Sequence, residues 1–240
     1  MCVFKMDYYS NIIVALDYEN ETDCLIFLEK LDPELCAIKI GLSLYTASGP
    51  SLVKACVARG FRVFLDLKFY DIPNTVATAL HIAADLGVWM INVHASGGPT
   101  MLKAARSAIN KDTGPLLIAV TVLTSYDNEE LQATGIQHPI NTQVEYLANL
   151  AFTAGLDGIV CSPLEVRALK HKFGNNFITV TPGIRLSEDN KNDQRRTMTH
   201  LEAKNAGSDY LVIGRPITHN SDPVNKLKKI LRDLRNRPLA

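Results

Sequence analysis

A chain of 240 residues, 47% of them hydrophobic, carries enough apolar material for one large domain, and its 25 basic and 25 acidic residues cancel at a pI near 7.0. That balance leaves no global field to gather nucleic acid or an anionic membrane, which points to a small-molecule partner. Five cysteines without a CxxC pair argue against a disulfide framework and for a reducing cytoplasm, and neither a leader pattern nor a run of roughly 18 apolar residues predicts export or a membrane span.

After a short extension, 1–10, the first predicted strand is 11–17, a nearly continuous apolar run suited to a parallel sheet covered by helices. It ends on the carboxylate of Asp17. A helix opens at 20–23, shows an apolar stripe at Leu25, Phe27 and Leu28, and is stopped by Pro33. The second strand, 35–41, sets Lys39 on the same face as Ala37 and Gly41, whose small size leaves room for it. A lysine midway along an apolar strand is either a snorkelling strand-end residue or part of a site. A long helix covers 42–59, with Gly60 just past its end.

The third strand, 62–68, alternates with period two, so Phe64, Asp66 and Lys68 share one face and Val63, Leu65 and Leu67 the other. Two opposite charges then point the same way. The chain breaks at Asp71-Ile72-Pro73-Asn74, with Asn74 expected to cap a helix over 75–86. Strand packing does not call for two carboxylates around an ammonium, so Asp66, Lys68 and Asp71 read as a site, with a structural salt bridge as the alternative.

The fourth strand, 89–95, has Asn92 and His94 on one face, His94 reading as a hydrogen-bonded interior histidine. Ser96-Gly97-Gly98 reads as an ordinary βα turn rather than a phosphate cradle. The fifth strand, 116–123, ends on Thr124-Ser125, hydroxyls suited to a ligand edge. An extra helix at 127–134 precedes the main one, 141–153. Strand six is 158–163, with a helix at 164–172. Strand seven, 177–181, runs into Pro182-Gly183-Ile184-Arg185. The polar, aperiodic stretch that follows makes 184–196 a candidate lid. A helix at 199–206, strand eight at 210–216 and an amphipathic helix at 223–235 complete the chain. Strands alternating with helices, without a linker, predict an α/β fold: a single-domain (β/α)8 TIM barrel over 1–240. In such barrels the strands' C-terminal ends carry function, and Asp17, Lys39, Asp66, Lys68 and Asp71 fall there or just below.

The pattern Asp66-x-Lys68-x-x-Asp71-Ile72-x-x-Thr75 fixes five positions within ten residues and resembles the signature of the orotidine 5'-phosphate decarboxylase family, bacterial type. Ile38-Lys39, Val122-Leu123-Thr124-Ser125, Thr181-Pro182-Gly183-Ile184-Arg185, Asp193-Gln194-Arg195-Arg196 and Val212-Ile213-Gly214-Arg215-Pro216 extend the likeness over nearly the whole chain. The resemblance implies the last step of de novo UMP synthesis: orotidine 5'-phosphate losing CO2 to give UMP, with neither metal nor organic cofactor. Lys68 would protonate the C6 carbanion, with Asp66, Asp71 and Lys39 completing the charged site. Asp17 and Lys39 would bind the ribose, Thr124 would lie by the pyrimidine, and Pro182, Arg185, Gln194, Gly214 and Arg215 would serve the phosphate. The family is dimeric, and the resemblance implies that Asp71 and Thr75 reach the neighbouring subunit's site. Asp66 would face the substrate carboxylate, where like charges about 4 Å apart repel by roughly 4 kcal/mol at an effective dielectric of 20.

A metal-dependent relative, such as a 3-keto-gulonate-6-phosphate decarboxylase or a hexulose-phosphate synthase, shares the Asp-x-Lys-x-x-Asp core, but Asp71-Ile72-Pro73-Asn74-Thr75 speaks against it. A non-catalytic nucleotide-binding barrel would be expected to have lost Lys68 or Asp66.

Overall fold

Short apolar runs bounded by polar turns form eight parallel strands: β1 (Ile12–Leu16), β2 (Ala37–Gly41), β3 (Val63–Phe69), β4 (Met90–His94), β5 (Leu116–Val120), β6 (Gly158–Val160), β7 (Ile178–Thr181) and β8 (Tyr210–Ile213). Each pairs with the next, and β8 returns to β1 through Ile12–Leu211, Ile13–Val212 and Val14–Ile213, closing the barrel expected from the sequence. The structure, a computed structural model, describes residues 10–185 and 196–235. Most of the expected lid, including Gln194, and nearly all of the expected N-terminal extension lie outside the described residues. Among the described residues no helix is long and apolar enough to cross a membrane.

The helices are α1 (Glu21–Leu28), α2 (Leu42–Ala58), α3 (Pro73–Ala84), α4 (Gly98–Ala108), α5 (Asn128–Ala133), α6 (Ile140–Thr153), α7 (Val166–Phe173), α8 (His200–Asn205), α9 (Arg215–Thr218) and α10 (Pro223–Arg235). Their starts follow side-chain chemistry. Asn20 and Asp127 each accept a main-chain N–H three residues on, and Thr199 with Glu202 forms a capping box on α8. Two expectations fail locally. Asn74 lies inside α3, because Pro73 takes the first helical position, where its missing N–H costs nothing, and Ile72 is the cap. The long helix is broken at Gly49, whose φ of 66° is followed by Pro50.

β5 and β6 stop short of the expected 123 and 163 because their continuations find other partners. Arg196 donates to the carbonyls of Val122 and Leu123, and the Ser162 N–H goes to the Glu165 carboxylate at 2.9 Å. The core has two layers. Strand residues pointing outward pack under the helices, while Ile13, Phe64, Met90, Ile118, Val180 and Val212 fill the barrel interior. At the strands' N-terminal ends Asp157 accepts the Leu117 N–H and pairs with Arg106, and Asp209 accepts the Thr179 N–H and pairs with Lys170. These carboxylates satisfy main-chain donors and tie helices to strands, a stabilising role at the end opposite the site.

Candidate active site

At the other end of the barrel, β1, β2 and β3 bring four charges into a row. Lys39 Nζ lies 3.4 Å from Asp17 Oδ1 and 3.4 Å from Asp66 Oδ2, and Lys68 Nζ lies 2.8 Å from Asp66 Oδ1. The signs alternate from Asp17 through Lys39 and Asp66 to Lys68. Such an arrangement is what makes the burial of Asp66, only 8% exposed, tolerable. The room for Lys39 comes from its neighbour: a Cβ on Gly41 would sit 3.0 Å from Nζ.

Strand alternation does not by itself deliver Lys68. From the Leu65–Ile91 pair to the Phe69–Val93 pair, β3 advances four residues while β4 advances two, so β3 bulges through Asp66, Leu67 and Lys68. Lys68 takes a φ of 53°, the left-handed region, at a cost of roughly 1–2 kcal/mol for a residue with a Cβ. Asn92, fully buried on β4, lies against this bulge. Its Oδ1 accepts the Lys68 N–H at 2.8 Å and its Nδ2 donates to Asp66 Oδ1 at 2.7 Å. From the sequence, Asn92 shares a strand face with His94 and has no part in the site. The signal available was an amide in the middle of an otherwise apolar strand.

A cavity of about 540 Å³ opens over this row. One side is the charged wall of Asp17, Lys39, Asp66 and Lys68. Thr124 and Ser125 stand opposite, and Pro182, Gly183, Arg185, Gly214 and Arg215 close the side formed after β7 and β8. Gly214 is held against β1, where a Cβ would meet Asp17 Oδ2 at 3.3 Å and the Ala15 Cβ at 3.4 Å. The first strand's carboxylate and the last strand's turn are thus neighbours. Nine of the expected site residues, Asp17, Lys39, Asp66, Lys68, Thr124, Pro182, Arg185, Gly214 and Arg215, line this one cavity.

Asp71 and Thr75 do not line it. Both are exposed, and the Asp71 carboxylate accepts the N–H of its neighbour Ile72 at 2.6 Å. Around them Tyr70 and Ile72 are 61% and 67% exposed. His94 is half-buried rather than interior: burial and the nearby Lys68 ammonium hold its imidazole below the ordinary 6.5, against the pull of Asp66. Cys161 lines the cavity, where burial raises its thiol well above 9.0.

The flanks of 186–195 are held side by side. Arg185 N–H donates to the Met198 carbonyl at 3.0 Å and Met198 N–H to the Gly183 carbonyl at 3.3 Å. Arg196 pairs with Glu165, itself 6% exposed. Burial pushes the Glu165 carboxyl up to about 7, although Arg196 and the Ser162 N–H both pull it down. No role was assigned to this pair from sequence, since its partners are far apart in the chain.

Chemically, the cavity offers ammonium groups beside a buried carboxylate, hydroxyls at the opposite edge, and guanidinium and glycine main chain at the third side, where an anion fits. Among the described residues no group of three His, Cys, Asp or Glu is arranged to hold a metal.

Residues 10–230 match the model of the orotidine 5'-phosphate decarboxylase / HUMPS family. The orotidine 5'-phosphate decarboxylase of Legionella pneumophila subsp. pneumophila strain Philadelphia 1 is 57% identical over 226 residues, covering 93% of this chain and 98% of the relative. That of Laribacter hongkongensis strain HLHK9 is 56% identical over 222 residues, covering 92% of this chain and 91% of the relative. Among solved structures, orotidine 5'-phosphate decarboxylase from Lactobacillus acidophilus superposes with a TM-score of 0.82 at 37% identity, covering 94% of this chain and 99% of that one.

Proposed function

Since the chain belongs to the orotidine 5'-phosphate decarboxylase / HUMPS family, we propose that it converts orotidine 5'-phosphate to UMP and CO2, as a carboxy-lyase of pyrimidine nucleotide synthesis, with the work divided among the residues that line the cavity. The observation that carries this reading is the alternating row Asp17, Lys39, Asp66 and Lys68 along one wall of the cavity.

In this assignment the phosphate sits at Arg185, Gly214 and Arg215, with Pro182 beside it and Gln194 as a further ligand from outside the described residues. The ribose hydroxyls meet Asp17 and Lys39, and the pyrimidine edge meets Thr124. That places C6 over Lys68 and the substrate carboxylate beside Asp66. Two carboxylates held together repel, and departure of CO2 relieves the repulsion. The electron pair left on C6 is stabilised by the Lys68 ammonium, which then delivers its proton there to give UMP. Neither metal nor organic cofactor has a part in this scheme. Binding energy from the remote phosphate orients the reacting end.

We further propose a homodimer in which Asp71 and Thr75 complete the partner subunit's site. Their exposure outside their own cavity and the exposed apolar groups of Tyr70 and Ile72 support this. The four described cysteines are buried and unbridged, which fits a reducing cytoplasm. The balanced charge gives no support for nucleic acid or membrane as a partner.

A spectrophotometric assay of orotidine 5'-phosphate turnover in the presence of EDTA tests the reading. Turnover with UMP as product is expected. Activity lost in EDTA and restored by Mg²⁺ would point instead to a metal-dependent relative, and no turnover in either condition would sink the assignment.

A further inference from the structure

We propose that Asn92 is a positioning residue for decarboxylation: its side-chain amide replaces the main-chain partner that the β3 bulge removes, and so fixes Lys68 and Asp66 relative to one another. This rests on the function proposed above. Between Leu65–Ile91 and Phe69–Val93 the register slips, and the Lys68 N–H at the slip is taken by Asn92 Oδ1 at 2.8 Å. The other half of the same amide donates to Asp66 Oδ1 at 2.7 Å, the oxygen that Lys68 Nζ also approaches at 2.8 Å.

One planar group thereby holds both ends of the Asp66–Lys68 pair, the backbone of one and the carboxylate of the other. The two ends need opposite chemistry, an acceptor for the N–H and a donor for the carboxylate. A side-chain amide supplies both from one rigid plane without titrating, and Asn is the shorter of the two amides. Asn92 is fully buried and does not line the cavity, so its effect on the reaction passes through Lys68 and Asp66. Without it, the left-handed Lys68 at φ 53° loses the hydrogen bond that holds it there, and Asp66 can rotate. Removing the amide therefore acts first on the Asp66–Lys68 pair, and it touches none of the residues Arg185, Gly214 and Arg215 assigned to the phosphate.

The test compares wild type, Asn92→Ala and Asn92→Asp, with rates expressed per UMP-binding site so that any loss of folded protein cancels. Asn92→Ala is expected to lower kcat about 100-fold while UMP affinity stays within about threefold, since a displacement of the reacting groups costs rate more than binding. Asn92→Asp keeps the acceptor for Lys68 but sets a second carboxylate against Asp66. Its activity relative to wild type is expected to recover as pH falls from 8 to 5, when the new carboxyl gains a proton and can donate to Asp66. The charged or titratable groups around it are Asp66, Lys39, Lys68 and His94, all present in wild type, so the ratio isolates the new group. An Asn92→Ala kcat within threefold of wild type, a pH-independent Asn92→Asp ratio, or loss of UMP-binding sites in both variants would overturn the proposal, the last by making Asn92 a folding residue only. Wild-type turnover in the same assay reports separately on the proposed function.

Discussion

Arg196 donates from Nη2 to the carbonyl of Leu123 at 2.9 Å, across 73 positions of sequence. The residue that follows Leu123 is Thr124, on the cavity edge, so the rim beyond β5 and the chain leaving 186–195 are held by one guanidinium. The same guanidinium also donates to the Val122 carbonyl and pairs with the buried Glu165 carboxylate.

That carboxylate makes stability depend on pH in an unusual direction. With its folded pKa raised from 4.5 to about 7, the native chain holds a proton that the unfolded chain has already released between those values. Stability from this group is therefore lost as pH rises through that window, by roughly 3 kcal/mol in all. Glu165→Gln, which cannot titrate, is expected to gain on wild type across the same window in denaturation measured at a series of pH values. A constant difference between pH 4.5 and 7 would show that Glu165 is not the titrating group.

Gly41→Ala tests the space reserved for Lys39. The backbone at φ −93° and ψ 179° accepts alanine, so the added methyl acts only by its approach to the Lys39 ammonium at 3.0 Å. Catalytic efficiency is expected to fall about tenfold with little change in Tm, because the group displaced belongs to the site and not to the core. Unchanged kinetics would mean that Lys39 reaches the substrate from another position.

Arg215→Ala is expected to lower kcat/KM by more than about 2 kcal/mol, roughly 30-fold, although the residue touches no reacting atom in the proposed arrangement. A loss under threefold would count against the use of remote phosphate binding.

Mixing Lys68→Ala and Asp71→Ala chains, each inactive alone, is expected to restore activity. A mixed dimer has one site with both native residues and one with neither. Random re-pairing makes about half the dimers mixed, which gives roughly a quarter of wild-type sites. No recovery after demonstrated subunit exchange would place Asp71 in its own chain's site.

What was legible in the sequence divides along physical lines. Period and punctuation located the eight strands, since an apolar run between polar turns is a local signal, and they also placed α10 at its observed limits. Asp17, Lys39, Asp66 and Lys68 stood out because charge inside apolar strands is conspicuous. Asn92 was less visible, for its importance arises from a register slip between β3 and β4 that neither strand encodes alone. The Glu165–Arg196 pair and the link to Leu123 were hidden by distance along the chain. The early start of α3 was missed by weighting the capping side chain of Asn74 over the preference of proline for the first helical turn.

The pairing of β1 with β8 also has a temporal side. Synthesis makes Asp17 early and Gly214 and Arg215 late, so the anion-facing corner exists only once nearly all of the described chain has been translated. Until β8 arrives, one margin of β1 is a row of main-chain donors and acceptors without a strand to meet them. The closure that gives this margin its strand also brings the turn of Gly214 against Asp17 and completes the pocket wall.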